Sequence, residues 1–165
     1  MSASLEWSAR TRRPEDRLSA HGIACVIEAD DVTREHMASV LRAMGYVTHE
    51  TGGGTIGAMI AEQVRLDVIV VNVLLPEENG LKIVRALRSR ARNAIIIALT
   101  PYASTGLPVM LARFAGADAV LASPALDETL ATTLSELSLE RARANAKPRV
   151  NHPIPVRDLS LDPHP

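Results

Sequence analysis

The chain has 165 residues, of which 47% are hydrophobic and only 2% are aromatic, and its formal net charge at pH 7 is −1. This length suits one domain with additional terminal segments, and its core must be built from aliphatic side chains. A net charge so close to zero gives no electrostatic reason to predict a nucleic-acid or membrane partner.

The two ends of the chain lack a periodic apolar pattern. Residues 1–21 contain Trp7 among several arginines, and we predict a flexible N-terminal arm there. Residues 147–165 hold five prolines, which predicts a disordered Pro-rich tail. A single domain is therefore expected over residues 22–146.

Between these ends, strand-like and helix-like segments alternate. The predicted strands are short apolar runs bounded by turn residues, in chain order IACVI, YVTHE, DVIVVNVLL, AIIIALT and DAVLAS. The predicted helices carry apolar residues at three- and four-residue spacing: TREHMASVLRAM, TIGAMIAEQV, LKIVRALRSR, PVMLARFAGA and LDETLATTLSELSLERARANA. Five strands alternating with five helices predict an α/β fold with a doubly wound parallel sheet.

The lone cysteine and the lack of long apolar runs indicate a compartment. Cys25 lies inside the apolar segment IACVI, so it is expected to be a small buried hydrophobe rather than part of a disulfide framework. No opening segment has the pattern of a signal peptide, and no apolar run reaches membrane-spanning length. We therefore expect a cytoplasmic protein.

Polar side chains follow the predicted strands at their carboxyl ends, where doubly wound sheets form their sites. Asn72 is the least expected of them, because it interrupts a strand that is otherwise apolar on both faces, and a buried amide without partners is costly. The residues expected to face one crevice are Glu28, Ala29, Asp30 and Asp31 after the first strand, Asn72 in the third, Thr100 after the fourth and Ser123 after the fifth.

Four motifs in order resemble the receiver domain of two-component response regulators, over roughly residues 22–138. They are CVIEADDVTREHMASVLRAMGY, LDVIVVNVLLPEENGLKIVRALR, IIIALT and AGADAVLASP. The resemblance implies a flavodoxin-like sheet with strand order 2-1-3-4-5.

The resemblance also implies a set of site residues, and this chain departs from that set systematically. In the family, an Asp that ends the third strand is phosphorylated, two acids after the first strand hold Mg²⁺, and a Lys before the proline of the fifth strand contacts the phosphoryl group. Those positions hold Asn72, the pair Glu28-Ala29, and Ser123, and the family's aromatic position in strand five is Val120. The resemblance is thus to a degenerate receiver, or pseudo-receiver.

Chemistry explains why these losses belong together. An amide oxygen is a poor nucleophile and forms no acyl phosphate, and Mg²⁺ requires hard charged oxygen ligands that Glu28, even with Asp30, supplies too sparsely. We expect the hydroxyls of Thr100 and Ser123 to satisfy the Asn72 amide in a neutral network. The sequence therefore predicts no phosphorylation, no metal site, no cofactor and no enzymatic activity.

Two other patterns offer alternatives. Asp30-Asp31 would restore an acid pair in a shifted register, although that register displaces Arg34 from its aligned position. The segment GGGTIG (52–57) satisfies the dinucleotide-binding spacing G-x-G-x-x-G, but it follows the second strand rather than the first, and the next strand has no acid at its end. A strand-to-helix turn without a ligand is the favoured interpretation of that segment.

The favoured function is a regulatory module that binds another protein, either a histidine kinase, another response regulator or a second copy of itself. We predict contact through the face formed by helix 4, strand 5 and helix 5, with Val109, Met110, Leu111, Val120 and Ala122 as candidates. One helix and a proline-rich tail after residue 126 leave no room for a DNA-binding output domain, so no nucleic-acid partner is expected. The alternative is a structural or assembly protein with the receiver fold and no link to two-component signalling.

Overall fold

In a computed structural model that describes residues 22–101, 106–123 and 127–146, strands and helices alternate along the chain. The elements are β1 (Gly22–Ile27), α1 (Asp31–Ala43), β2 (Tyr46–Thr51), α2 (Gly54–Gln63), β3 (Val68–Asn72), α3 (Gly80–Arg90), β4 (Ile95–Thr100), α4 (Leu107–Ala115), β5 (Ala119–Ala122) and α5 (Asp127–Ala146). The arm predicted for 1–21 and the tail predicted for 147–165 lie outside the described residues.

The five strands form one parallel sheet with the order β2-β1-β3-β4-β5. This order confirms the predicted doubly wound α/β fold. β3 lies at the centre of the sheet between β1 and β4, which places the end of β3, and with it Asn72, at the middle of the carboxyl edge.

The core has two layers, one on each face of the sheet, because alternate side chains of a strand point to opposite faces. Ile69 and Val71 of β3 belong to the layer covered by α2, α3 and α4. Val68 and Val70 belong to the layer covered by α1 and α5. Burial on both faces explains why β3 and β4 are continuous apolar runs. In the described part of the chain, no helix combines the length and the apolar character needed to cross a bilayer.

Several element boundaries differ from the sequence prediction by one or more residues, and polar side chains explain two of these differences. β3 was expected to continue to residue 75 but ends at Asn72, because the Asn72 Oδ1 accepts a hydrogen bond from the Leu74 N–H at 2.9 Å and turns the chain. α1 was expected from residue 33 but begins at Asp31, because the Asp30 carboxylate accepts from the Thr33 N–H at 2.7 Å and caps the helix.

Candidate functional site

The amide of Asn72 is directly hydrogen-bonded to the carboxylate of Glu28. The Asn72 Nδ2 donates to the Glu28 Oε2 at 2.8 Å, and the Asn72 Oδ1 accepts from the Leu74 N–H. Glu28 is buried, with only 4% of its surface exposed. The amide therefore supplies a donor to a buried carboxylate and an acceptor to the following loop, which accounts for a polar residue in an apolar strand.

The loop after β1 holds Glu28 in place from several sides. The second carboxylate oxygen, Oε1, accepts from the Asp30 N–H at 3.0 Å, and the backbone N–H of Glu28 donates to the Thr51 carbonyl at 3.0 Å. Arg34 on α1 reaches back and donates to the Glu28 carbonyl at 2.8 Å and to the Ala29 carbonyl at 3.4 Å. The guanidinium thus fixes the loop backbone, while both oxygens of the Glu28 carboxylate accept hydrogen bonds.

The alternative acid pair, Asp30-Asp31, does not form a site in this structure. Asp30 is exposed and caps α1, and its hydrogen bonds from Thr33 lower the pKa of that carboxyl below its ordinary value. Asp31 is exposed on α1 and contacts the Arg34 guanidinium. Glu28, rather than either aspartate, is the acid that contacts Asn72.

The residues of this crevice do not fit the Mg²⁺ site that the receiver resemblance implies. Both oxygens of Glu28 and the oxygen of Asn72 already accept hydrogen bonds from protein donors, Ala29 has no ligating side chain, and the Asp30 carboxylate is committed to the helix cap. Across residues 22–101, 106–123 and 127–146, no group of three or more metal-ligating side chains comes together. Mg²⁺ binds in octahedral geometry through one or two carboxylates together with water, and the single carboxylate of this crevice, that of Glu28, already accepts hydrogen bonds from the protein at both oxygens.

Thr100 and Ser123 complete the carboxyl edge of the sheet. Thr100 is buried at the end of β4, one residue beyond the Leu99 that pairs with Asn72, and its carbonyl accepts from the Ser123 N–H at 2.8 Å. The fold therefore brings the carboxyl ends of β3, β4 and β5 to the same edge of the sheet. The network differs from the expectation of a neutral one, because the hydrogen-bond partner of the Asn72 amide donor is the carboxylate of Glu28.

The glycine-rich segment 52–57 has a structural function in this fold. The Glu78 carboxylate, from the loop between β3 and α3, accepts from the Gly54 N–H at 2.5 Å, the Thr55 N–H at 2.8 Å and the Thr55 hydroxyl at 2.6 Å. These hydrogen bonds, that from the hydroxyl most of all, lower the pKa of Glu78. A Cβ on Gly57 would lie 2.3 Å from the Ile27 side chain, so close packing requires this glycine. A protein carboxylate thus occupies the helix N-terminus where a dinucleotide phosphate would bind.

Only some residues of the predicted interaction face are exposed. On α4, Met110 and Leu111 are exposed, whereas Val109 is half-buried and packs against the core. Ala122 on β5 is exposed. Val120 is 7% exposed and belongs to the core layer beneath α4, so its inclusion in the face was wrong: its side chain points to the covered side of the edge strand.

Two exposed residues of α4 escaped the sequence analysis. Leu107 is 66% exposed and Phe114 is 82% exposed, and with Met110 and Leu111 they follow the spacing i, i+3, i+4, i+7. That spacing is the only signal by which the sequence could have revealed them. It is the pattern of one helical face, but the pattern normally marks the buried face.

Comparison with known proteins identifies a family for this arrangement. The sequence model of the response regulator receiver domain matches residues 24–135. A DNA-binding response regulator of Mycobacterium tuberculosis, MtrA, is 29% identical over 136 residues, which cover 82% of this chain and 54% of that protein. A cyclic di-GMP phosphodiesterase of Thermotoga maritima is 30% identical over 99 residues, which cover 60% of this chain and 26% of that protein. The chain thus spans about half or less of these relatives.

A solved structure gives the same picture. A response regulator protein from Burkholderia pseudomallei, crystallised with a phosphorylated aspartic acid, a calcium ion and citrate, superposes with a TM-score of 0.62. It is 28% identical in sequence, and the match covers 75% of each chain. The chain therefore shares its fold with a protein that carries a phosphorylated aspartate.

Proposed function

The chain belongs to the response regulator receiver family, and from that premise we propose that it is a receiver that does not accept a phosphoryl group and that acts by binding another protein. The proposal places it in two-component signalling as a cytoplasmic, non-enzymatic module. Its partner would be a histidine kinase or another regulator of the same pathway.

One observation carries the proposal: the side chain at the end of β3 is an amide that donates to the buried Glu28 carboxylate at 2.8 Å. Attack on a phosphoryl donor requires a free carboxylate oxygen, whereas the lone pair of an amide nitrogen is delocalised and its oxygen is weakly nucleophilic. The oxygen of Asn72 is, in addition, already hydrogen-bonded to the Leu74 N–H. The position is therefore stabilised as a structural contact, which supports a function without phosphorylation.

The neighbouring positions support the same interpretation. Phosphoryl transfer needs positive charge around the transferred group. Ala29 supplies no second carboxylate for a metal, and Ser123 supplies no cation. A phosphoryl group at Asn72 would instead face the Glu28 carboxylate without compensation, at a high electrostatic cost.

Binding to another protein is supported by the exposed side of α4. Met110 and Leu111 from the predicted face, together with Leu107 and Phe114, expose large apolar side chains on a helix that has a single charged residue, Arg113. Contiguous exposed apolar surface on an otherwise charged domain is typical of an interaction site.

Intact-mass spectrometry after incubation of the full chain with acetyl phosphate and Mg²⁺ tests the first part of the proposal. We expect no added phosphoryl group on the wild-type protein. The matched control is the triple variant Asn72→Asp, Ala29→Asp, Ser123→Lys, which restores the three family groups and should gain one phosphoryl group if it folds with wild-type circular dichroism. A phosphoryl adduct on the folded wild-type domain would contradict the proposal.

A further inference from the structure

The segment that contains α3 and α4 is uniformly basic. Residues 79–117 carry six cations, Lys82, Arg85, Arg88, Arg90, Arg92 and Arg113, and no acidic residue. Since the net charge of the whole chain is −1, the remainder of the chain has an excess of acids. Two of the six cations are ion-paired, Arg88 with Asp118 and Arg90 with Glu62, and the other four make the side of α3 and α4 positive.

A cavity lies on this side, between α3, α4 and the loop before α3. Most of its lining residues are apolar, and the polar residues Glu78, Asn79 and Thr100 also line it. The cavity has a volume of about 380 Å³, and Leu81 of α3 and the α4 residues Leu107, Pro108 and Leu111 contribute to its wall. Phe114 follows Leu111 by three residues, so it continues the same side of α4 below the cavity. A strip of apolar side chains thus extends from this open cavity along two turns of α4.

Cations border this strip. Arg85 lies four residues after Leu81 and three before Arg88, and these spacings place it on the same side of α3. Leu81 lines the cavity, and Arg88 donates to the carbonyl of Gly116 at the end of α4 at 2.9 Å, so that side of α3 faces α4. Arg85 is exposed, as is Lys82 at the start of α3, and neither side chain forms an ion pair with any described residue.

We propose that the groove between α3 and α4 binds an acidic amphipathic helix of a partner protein. Its apolar face would cover Leu107, Leu111 and Phe114, with one side chain in the cavity, and its flanking carboxylates would face Lys82 and Arg85. This inference rests on the proposed function and specifies the chemistry of the partner protein. Helix-in-groove recognition uses apolar anchors at the spacing i, i+3, i+4, i+7, and charge complementarity sets the specificity.

The charge of the groove favours this occupant over two others. A second copy of the chain docked by the same face would bring Lys82, Arg85 and Arg113 against their own equivalents, and like charges across a two-fold interface oppose association. A nucleic acid would match the charge of Lys82 and Arg85, but most of the residues that line the cavity are apolar and none of them is aromatic, so the cavity offers a base no stacking platform.

Fluorescence anisotropy of a labelled synthetic peptide tests the proposal with the full chain. The probe is a helical peptide with Leu at i, i+3, i+4 and i+7 and Glu at its flanking positions. The matched control peptides have Lys in place of every Glu, or Ser in place of every Leu. We expect the Glu peptide to bind at least about tenfold more tightly than either control, and its affinity to fall as salt rises.

Variants locate the site. The double variant Lys82→Glu, Arg85→Glu and the single variant Phe114→Ser should each weaken binding of the Glu peptide by about tenfold or more. Arg65→Glu is the matched control, because Arg65 is also exposed and also forms no ion pair with a described residue. Arg65 follows α2 and lies outside the groove, so this variant should change the affinity for the Glu peptide by less than about twofold.

Every other outcome overturns the proposal. Absence of binding, equal affinity for the Glu and Lys peptides, or loss of binding in Arg65→Glu alone would each reject the acidic helix. A dimer in sedimentation that Phe114→Ser abolishes would assign the groove to a second copy. Tighter binding of a single-stranded oligonucleotide than of the Glu peptide would assign it to nucleic acid. None of these results alters the phosphorylation test, so a failure of this inference is distinguishable from a failure of the proposed function.

Discussion

Replacing Asn72 with aspartate is the sharpest test of the contact between β3 and the loop after β1. The substitution keeps the size and shape of the side chain and replaces the donor Nδ2 with a carboxylate oxygen. That oxygen would lie at hydrogen-bond distance from the Glu28 Oε2, where the amide nitrogen lies at 2.8 Å. A hydrogen bond in the wild-type protein thus becomes a repulsion in Asn72→Asp.

Two energies limit how much stability Asn72→Asp loses: the repulsion between the two carboxylates and the free energy of keeping one of them protonated. Two unit charges about 3 Å apart at an effective dielectric constant near 20 repel by about 5 kcal/mol. The variant avoids part of this cost by keeping a proton on the introduced carboxyl, and holding that proton at pH 7 costs at most about 4 kcal/mol, or three pH units above an ordinary pKa near 4. The smaller limit applies, so we expect Asn72→Asp to lower the free energy of unfolding by about 3 to 4 kcal/mol at pH 7.

The pH dependence has a definite sign. The folded-state pKa of the introduced carboxyl is raised above its unfolded value, so its contribution to stability is fully present below about pH 4 and is lost as pH rises. Near pH 4 the protonated carboxyl donates to Glu28 as the amide does, and the variant should lie within about 1 kcal/mol of the wild type.

Urea unfolding followed by circular dichroism, from pH 4 to pH 7.5, measures both quantities. Asn79→Asp is the matched control, because Asn79 caps α3 by accepting from the Lys82 N–H, and an aspartate caps equally well. It should stay within about 0.5 kcal/mol of the wild type throughout. If Asn72→Asp is as stable as the wild type at pH 7, or if the difference does not grow with pH, the amide does not contact a buried carboxylate.

Two further predictions concern the loop between β3 and α3. Glu78→Gln should lower the free energy of unfolding by about 1 kcal/mol at pH 7, because the start of α2 loses its anionic partner, and the exposed control Glu77→Gln should leave it within about 0.3 kcal/mol. Because hydrogen bonds lower the pKa of Glu78, this carboxylate stabilises the fold above its ordinary pKa, and the stabilisation disappears as pH falls through the folded-state pKa. Urea titrations should therefore show a smaller stability difference between Glu78→Gln and the wild type at pH 3.5 than at pH 7. Equal stability of the two proteins at pH 7 would reject the capping contact. Gly80→Ala should lower the free energy of unfolding by about 3 kcal/mol or more, because a Cβ there would lie 2.0 Å from the backbone oxygen of Val73. The control Gly53→Ala should lower it by less than about 1 kcal/mol, because a Cβ at that position meets nothing nearer than 3.7 Å. Equal shifts of the two variants in thermal melts would refute the steric argument.

The fold could be predicted because its physical signals are local and strong. β3 and β4 are buried on both faces, so their sequences are continuous apolar runs that a helix-covered parallel sheet requires. The same pattern predicted Asn72 at the carboxyl end of a strand, and its place at the centre of the sheet followed from the strand order that the receiver resemblance implied.

The partners of the site residues could not be predicted, because they depend on side-chain direction rather than on spacing. Nothing in the sequence separates an Asn72 amide that bonds to hydroxyls from one that bonds to Glu28. Likewise, Glu78 occupies the N-terminus of α2 from 24 residues away along the chain. Long-range polar contacts of this kind become visible only when the loops are placed.

The exposure of the large apolar residues on α4 could not be predicted from the sequence, for a different reason. The helix is apolar on two sides, since Ala112 and Ala115 pack on the sheet while Leu111 and Phe114 are exposed, and a helix that is apolar all round predicts full burial from sequence alone. Small alanines beneath the helix let it sit close to β5, and the large side chains have no space left on that side. The size of the side chains, rather than their polarity, therefore decides which side of α4 faces outward.

The net charge of the chain was also an incomplete guide to its partner. The net value of −1 suggested that no electrostatic partner is needed, but a net charge is a sum over the whole surface, and a partner meets only one part of it. At an ionic strength of 0.15 M, charges are screened beyond about 8 Å, so Lys82 and Arg85 act on a ligand in the α3–α4 groove with little influence from acids that lie farther away than this distance. A domain can therefore be nearly neutral and still present a locally basic surface, and in this chain the exposed cations Lys82 and Arg85 lie on α3, next to the large exposed apolar side chains of α4.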